Sequence, residues 1–229
     1  AIHRMLQRKI LSKVSVPSSM HGYRRGRSTV THSRNHVGAA YIARFDIKDC
    51  FPSIFSGRIT LMYESLGASP LVAQWLTQLT TWKQRLPLGF STSNDIANVI
   101  MAPMVKRLEH FCVGRGLKVS FYADNIEISG GARVKDIKRQ IINIIRQEGF
   151  EVNMDKFELH PRYARQEVTG IVVNEGLGVS RDTLRRYRAL MHRCHVDGPS
   201  CVSKDPVKLK TRLQGYLAYL GSVNERQAA

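Results

Sequence analysis

Two aspartates occupy positions from which carboxylate chemistry is readily built. Asp46 closes the run Tyr41-Ile42-Ala43-Arg44-Phe45-Asp46-Ile47, where large apolar residues alternate with others as in a strand buried on one face. Asp124 lies in Tyr122-Ala123-Asp124-Asn125, a tight turn joining two short strands predicted within residues 119–129. Carboxylates brought by separate segments to neighbouring strand ends can converge on two divalent ions, which is what nucleotidyl transfer needs. One ion lowers the pKa of the attacking hydroxyl, and the other neutralises the leaving pyrophosphate. A hairpin turn suits one of the carboxylates, because its backbone is fixed and its side chain projects into a cleft. Ordinary turn chemistry also favours Asp and Asn there. The tetrapeptide alone decides nothing.

The elements that must position these aspartates follow from periodicity and punctuation. Ile2 to Val14 predicts a helix, stopped by Pro17-Ser18-Ser19, and Gly22-Tyr23-Arg24-Arg25-Gly26-Arg27 a basic, glycine-punctuated loop. Residues 56–82 predict helix with a break near Gly67–Pro70. Leu86-Pro87-Leu88-Gly89 predicts a turn, and a helix from Ser93 or Asn94 through Leu108 follows. Val134, Ile137, Ile141, Ile144 and Ile145 recur at helical spacing, so an amphipathic helix over 134–148 is expected, stopped by Gly149. Strands are expected at 150–153, 157–160 and 167–173, then helices from Ser180 and over about 206–221. This is an α+β order with a helical appendage. The sequence opens directly in a predicted helix, so a segment upstream of Ala1 is expected.

The chain of 229 residues has 35 basic and 18 acidic side chains, a net charge of +17, which points to a polyanionic partner. Residues 1–45 hold nine Lys or Arg and no Asp or Glu. Residues 46–178 hold 16 basic and 14 acidic, and residues 179–229 hold 10 and 4. Basic ends around a balanced centre suit a scaffold that grips nucleic acid at its flanks and carries acidic chemistry in the middle. A hydrophobic fraction of 43% supports a real core and excludes a disordered basic tail. Cys50, Cys112, Cys194 and Cys201 show no CxxC pairing and read as reduced thiols of a cytoplasmic protein. His192, Cys194, His195 and Cys201 lie close in sequence, at a spacing that matches no standard zinc pattern. The longest charge-free run, Ser65 to Trp82, is broken by Pro70, Gln74, Gln78 and several threonines, so no membrane span is expected.

Four segments together resemble reverse transcriptases. Asp46-Ile-Lys-Asp-Cys-Phe-Pro-Ser-Ile54 resembles the first palm motif, and Leu86-Pro87-Leu88-Gly89-Phe90-Ser91-Thr92-Ser93 the turn and helix beside the incoming nucleotide. Tyr122-Ala123-Asp124-Asn125 resembles the YxDD hairpin, and Gly149 through Lys156 the motif after it. They occur in the family's order and spacing. Val168-Thr169-Gly170 resembles the VTG motif of the retron branch, which lies where those enzymes hold their own structured RNA. His21-Gly22-Tyr23 through Gly26-Arg27-Ser28 to His36 resembles the fingers region with the NAxxH motif, and Leu213 to Asn224 the thumb helix. Three departures stand out: Asn125 where the family has Asp, Leu88 where Gln is usual, and only His36 kept from NAxxH.

The resemblance implies an α+β right-hand polymerase with fingers, an antiparallel palm sheet and a helical thumb. The expected divisions are 1–38 (basic N-terminal fingers segment), 39–55 (palm, first catalytic motif), 56–92 (fingers), 93–178 (palm) and 179–229 (thumb). Asp46 and Asp124 become the expected ligands of two Mg2+ ions, with the Ile47 carbonyl as a further oxygen. Asn125 keeps nearly the same shape but removes a unit of charge, so weak metal binding and a rate loss of several orders of magnitude are expected. An inactivating replacement and a natural non-catalytic scaffold both fit that residue. Phe51 is the expected gate against a ribose 2′-hydroxyl, or else a core aromatic. Gly89 and Ser93 should shape the nucleotide pocket, and Lys156 should meet the triphosphate or stand in solvent. Arg24, Arg25, Arg27 and His36, with Val168, Thr169 and Gly170, are the expected nucleic-acid contacts. Tyr187, Tyr216 and Tyr219 read as core packing or duplex contacts. The implied activity is copying of a structured non-coding RNA into branched, RNA-linked DNA from dNTPs, in anti-phage defence with an effector protein. A dead scaffold, another bacterial lineage and a plain basic RNA binder are the competing readings.

Overall fold

The computed structural model describes residues 2–198, 200 and 205–223. Cys201 and Asn224 lie outside the described residues. A four-stranded antiparallel sheet organises the molecule: β1 (Tyr41–Asp46), β2 (Lys118–Tyr122), β3 (Asn125–Gly130) and β4 (Glu158–Pro161), in the order β2-β3-β1-β4. The two central strands carry the two aspartate segments. Period-two alternation divides the sheet into two unlike faces. Ala43, Phe45, Phe121, Ile126 and Ile128 point into the main core, and Arg44, Asp46, Ser120, Glu127 and Ser129 point the other way.

The apolar face is closed by α5 (Ser93–Val113) and α6 (Lys138–Gln147), through Ile96, Met101, Met104 and Val105 of the first and Ile141 and Ile145 of the second. Helices α3 (Ser56–Ser65) and α4 (Pro70–Thr80) extend this core through Ile59, Met62, Tyr63 and Ala73. The N-terminal helix α1 (Ile2–Lys9) continues into a 3-10 turn over Leu11–Lys13. A second, smaller core joins Ile42 to a two-residue hairpin, β5 (Glu167–Val168) and β6 (Ile171–Val172), and to Leu220 and Val223. Those last two residues belong to α8 (Pro206–Val223), which follows α7 (Arg181–Val196).

Four local expectations are corrected. A helix over Thr29–Arg34, α2, was not expected; six residues rich in Thr, Val and His form it because Ser28 and Thr31 cap it reciprocally. The expected helix 134–148 begins as a separate 3-10 turn, Ala132–Lys135, and α6 starts only at Lys138. The strand expected at 150–153 reduces to a single antiparallel bridge, Ile47 to Val152. The strand expected over 167–173 is folded back at Thr169 (φ 46°) and Gly170 (φ 82°). A left-handed pair is what a two-residue hairpin of right-twisted strands needs.

Candidate active site

Register brings the two aspartate segments together. In the antiparallel pairing of β1 with β3, Asp46 stands opposite Asn125, and the Ile47 N–H donates to the Asp124 carbonyl at 3.0 Å. Ala123 and Asp124 form the two-residue turn between β2 and β3, with Tyr122 paired to Asn125. Ala123 has φ 56°, a left-handed conformation that costs an alanine about 1–2 kcal/mol. Packing holds it there. Residues 19–21 run beside β2: Phe121 N–H donates to the Ser19 carbonyl at 2.9 Å and His21 N–H to the Phe121 carbonyl at 2.7 Å. Gly22 then lies so close that a β-carbon on it would sit 2.4 Å from the Ala123 nitrogen.

The side chains converge as the backbone dictates. Lys156 places Nζ 3.1 Å from both oxygens of Asp46, and the Asn125 amide donates to Asp124 Oδ1 at 3.2 Å. Burial, then the Asp46 charge, holds the Asp124 carboxyl above its ordinary range, with Lys156 partly offsetting. Both carboxylates act on the thiol of Cys50, which burial and their charge push up to about 12. Two crowded carboxylates that already take up an ammonium form an oxygen-rich, negative site suited to a hard divalent cation. Among the described residues no group of three or more His, Cys, Asp or Glu is arranged to hold a metal ion. Beside them Asn125 presents a neutral amide.

Comparison with known proteins agrees with this geometry. Residues 1–173 match the reverse transcriptase (RNA-dependent DNA polymerase) family. The chain belongs to that family. It is 30% identical to the retron Mx65 reverse transcriptase of Myxococcus xanthus, over all of this chain and 57% of the relative. It is 27% identical to the retron Ec86 reverse transcriptase of Escherichia coli, over 99% of this chain and 69% of the relative. The chain thus spans little more than half of the Myxococcus protein. Apo telomerase from Candida tropicalis aligns with a TM-score of 0.56 over 81% of this chain and 39% of its own, at 12% identity. The complex of that telomerase with a telomeric RNA fragment gives 0.53 over 83% and 39%, also at 12% identity. These structural likenesses establish the right-hand polymerase fold.

The motif residues of this family member are distributed unevenly around the aspartates. Phe51 is 8% exposed and meets the ring of Tyr23 edge-on, centroids 6.5 Å apart. Gly89 is exposed with φ 97°, as its turn requires. Ser93 is buried and its hydroxyl donates to the Pro87 carbonyl at 2.6 Å, so it closes that turn from within instead of facing the cleft. Arg25 and Arg27 are exposed, whereas Arg24 donates to the carbonyls of Pro17 and Met20 and braces the loop. His36, expected to touch nucleic acid, is fully buried between the hydroxyls of Ser129 (2.7 Å) and Ser120 (2.6 Å). Val168 is likewise buried in the second core, which leaves the Thr169–Gly170 turn as the outward part of its motif. Tyr187 stacks on Tyr216 at 4.1 Å between the last two helices, and Tyr219 packs against the second core.

Sequence reasoning missed the polar layer behind the aspartates. Arg44, two residues before Asp46 on the same face, donates to Glu127 at 2.9 Å, to Glu158 at 2.6 Å and to the Glu167 carbonyl. It ties β1 to β3, β4 and the small hairpin at once. Burial outweighs this pairing and holds the Glu127 carboxyl above its ordinary range. His32 stacks on Tyr122 and His21 bonds to Asn35 and Thr31, so α2 seals the layer. The signal was present: Arg44/Asp46 and Asn125/Glu127/Ser129 repeat every second residue, which marks a polar sheet face that some other element must cover.

Proposed function

We propose that this chain is the polymerase core of a retron reverse transcriptase, which copies a structured non-coding RNA into branched, RNA-linked single-stranded DNA in anti-phage defence. One observation carries the reading: Asp46 faces Asn125 across paired strands, with Asp124 beside it at the turn. Residues 1–38 and 56–92 serve as fingers, 39–55 and 93–178 as palm, and 179–229 as thumb. Asp46 and Asp124, with the Ile47 carbonyl, hold divalent cations, and Mg2+ fits their oxygen donors. Such ions, when bound, supply the charge that activates an attacking hydroxyl and neutralises pyrophosphate.

The chain's own residues do the rest. Phe51 sorts sugars by bulk, Gly89 lets the chain turn beside the nucleotide, and Ser93 keeps that turn in shape. Lys156 Nζ carries a positive charge and a transferable proton beside Asp46, where a triphosphate would lie. Arg25 and Arg27 grip phosphates of template or nucleotide. The Thr169–Gly170 turn meets the structured RNA, and an effector protein completes the system in the cytoplasm. No helix among the described residues is long and apolar enough to cross a membrane.

Asn125 weakens this centre. Its amide spends an N–H on Asp124 where a second carboxylate would add negative charge. That observation favours one alternative, a scaffold that holds RNA and DNA without chemistry. Metal-dependent extension of a DNA primer on an RNA template separates the two. The Asn125→Asp form should extend at least about 100-fold faster than this chain, the scale at which electrostatic stabilisers act. An inert Asn125→Asp form would leave the scaffold reading.

A further inference from the structure

Tyr23 was part of a motif without a role of its own, yet it lies beside Phe51 and in the field of Asp124. It follows Gly22, whose backbone lies against Ala123 and whose carbonyl accepts from Asn98 at 3.1 Å. Tyr23 itself has φ 59°, a left-handed conformation unfavourable to any residue with a β-carbon. Its ring meets Phe51 at 6.5 Å with planes 78° apart. The phenol is within the field of Asp124: burial first, and then that carboxylate, raises its pKa, with Tyr122 and Cys50 adding to the effect. Tyr23 is 49% exposed against 8% for Phe51, so most of the open aromatic surface of this pair is tyrosine.

We propose that Tyr23 is a specificity-determining residue of the nucleotide pocket, forming with Phe51 the aromatic wall against which the sugar of an incoming nucleotide is sorted. The inference rests on the polymerase reading of the site. A ribose hydroxyl pressed against the carbon surface of these rings, away from the Tyr23 phenol oxygen, sheds water and gains no hydrogen bond, which disfavours the ribonucleotide only while the wall cannot yield. A lone phenylalanine ring can tilt away. An edge-on neighbour fixed by a constrained backbone prevents that.

The test measures insertion of dATP and of ATP opposite template uridine by the Asn125→Asp form, as kcat/KM for each. Tyr23→Ala should raise the use of ATP relative to dATP by about 3- to 10-fold, the scale of one aromatic pair. Tyr23→Phe should keep the parent ratio. The double variant Tyr23→Ala/Phe51→Ala should discriminate no worse than Phe51→Ala alone, because both changes open one wall. Tyr23→Leu serves as the second probe should the alanine form fail to fold. A ratio unchanged by Tyr23→Ala or Tyr23→Leu in an active enzyme overturns the proposal and leaves the polymerase reading standing. An Asn125→Asp form that inserts neither nucleotide overturns both.

Discussion

Replacing Gly22 with alanine isolates the contact that holds the Ala123–Asp124 turn in place. Gly22 does not adopt a left-handed backbone, so alanine there meets no conformational penalty; the obstacle is steric alone. Its β-carbon would lie 2.4 Å from the Ala123 nitrogen and 3.2 Å from both the Ala123 Cα and the Tyr122 carbonyl carbon. All three are backbone atoms and none can rotate away. Reaching an ordinary contact of 3.4 Å therefore requires about 1 Å of displacement, borne either by the turn or by the 19–22 segment. The segment is held by the Phe121–Ser19, His21–Phe121 and Asn98–Gly22 hydrogen bonds. The turn carries an alanine already strained at φ 56°. The turn is thus the softer partner, and Asp124 moves with it. A misplacement of about 1 Å at reacting groups costs about 100-fold in rate. Primer extension in the Asn125→Asp background should show that loss, with a melting temperature lowered by only a few degrees. Gly57→Ala, with nothing within 4 Å of its new carbon, is the control and should leave extension unchanged. Parent-like extension by Gly22→Ala would refute the reasoning. A large stability loss with intact rate in the folded fraction would mean that the segment peels away while the turn stays.

Removing the Lys156 ammonium, as Lys156→Gln, frees Asp46 of a competing cation 3.1 Å away. At that distance in water the competition is worth about 10-fold, so half-maximal extension in the Asn125→Asp form should need about 10-fold less Mg2+; an unchanged requirement would count against the shared site. Arg44→Met strands a buried Glu127 and should cost about 3 kcal/mol in urea unfolding, most of it recovered in Arg44→Met/Glu127→Met; a neutral single variant would deny the ion pair its role. His21, His32 and His36 are held mainly by burial at about 4, 3 and 3 against an ordinary 6.5. For a base whose folded-state pKa is depressed, stability is complete above the unfolded value and is lost as pH falls toward the folded one. The urea midpoint should therefore drop between about pH 6.5 and 4, less a partial offset from Glu127, whose raised pKa works in the opposite sense. His32→Phe removes a buried ring whose nitrogens make no hydrogen bond of good geometry, so it should stabilise by about 1 kcal/mol and flatten that profile; a steeper profile would contradict the assignment.

What the sequence disclosed and what it concealed divide along the reach of the interactions. The strand end at Asp46 and the turn at Asp124 were legible because alternation and a two-residue turn are local, whereas their pairing was expected only from the four motifs taken together. The α+β order was legible for the same reason, as periodic runs of eight or more residues outweigh boundary noise. Helix α2 was not, since six residues of weak helical composition depend on one reciprocal cap and on the sheet beneath them. His36 illustrates the deeper limit. As the residue kept from the NAxxH motif it was expected to contact nucleic acid, and only the approach of β2 and β3 supplies the two serine hydroxyls that make it a buried strut. Arg44 was counted merely as charge, because its partners lie 83 and 114 residues away. The residues at the paired strand ends thus announce themselves by type and turn, whereas those that hold them still are ordinary until the chain closes. Asn125 belongs to both sets. It keeps every backbone contact of the position it fills, with Tyr122 and Asp46 paired on either side, and alters only the charge at the point where those contacts converge. A fold held by backbone pairing tolerates that change.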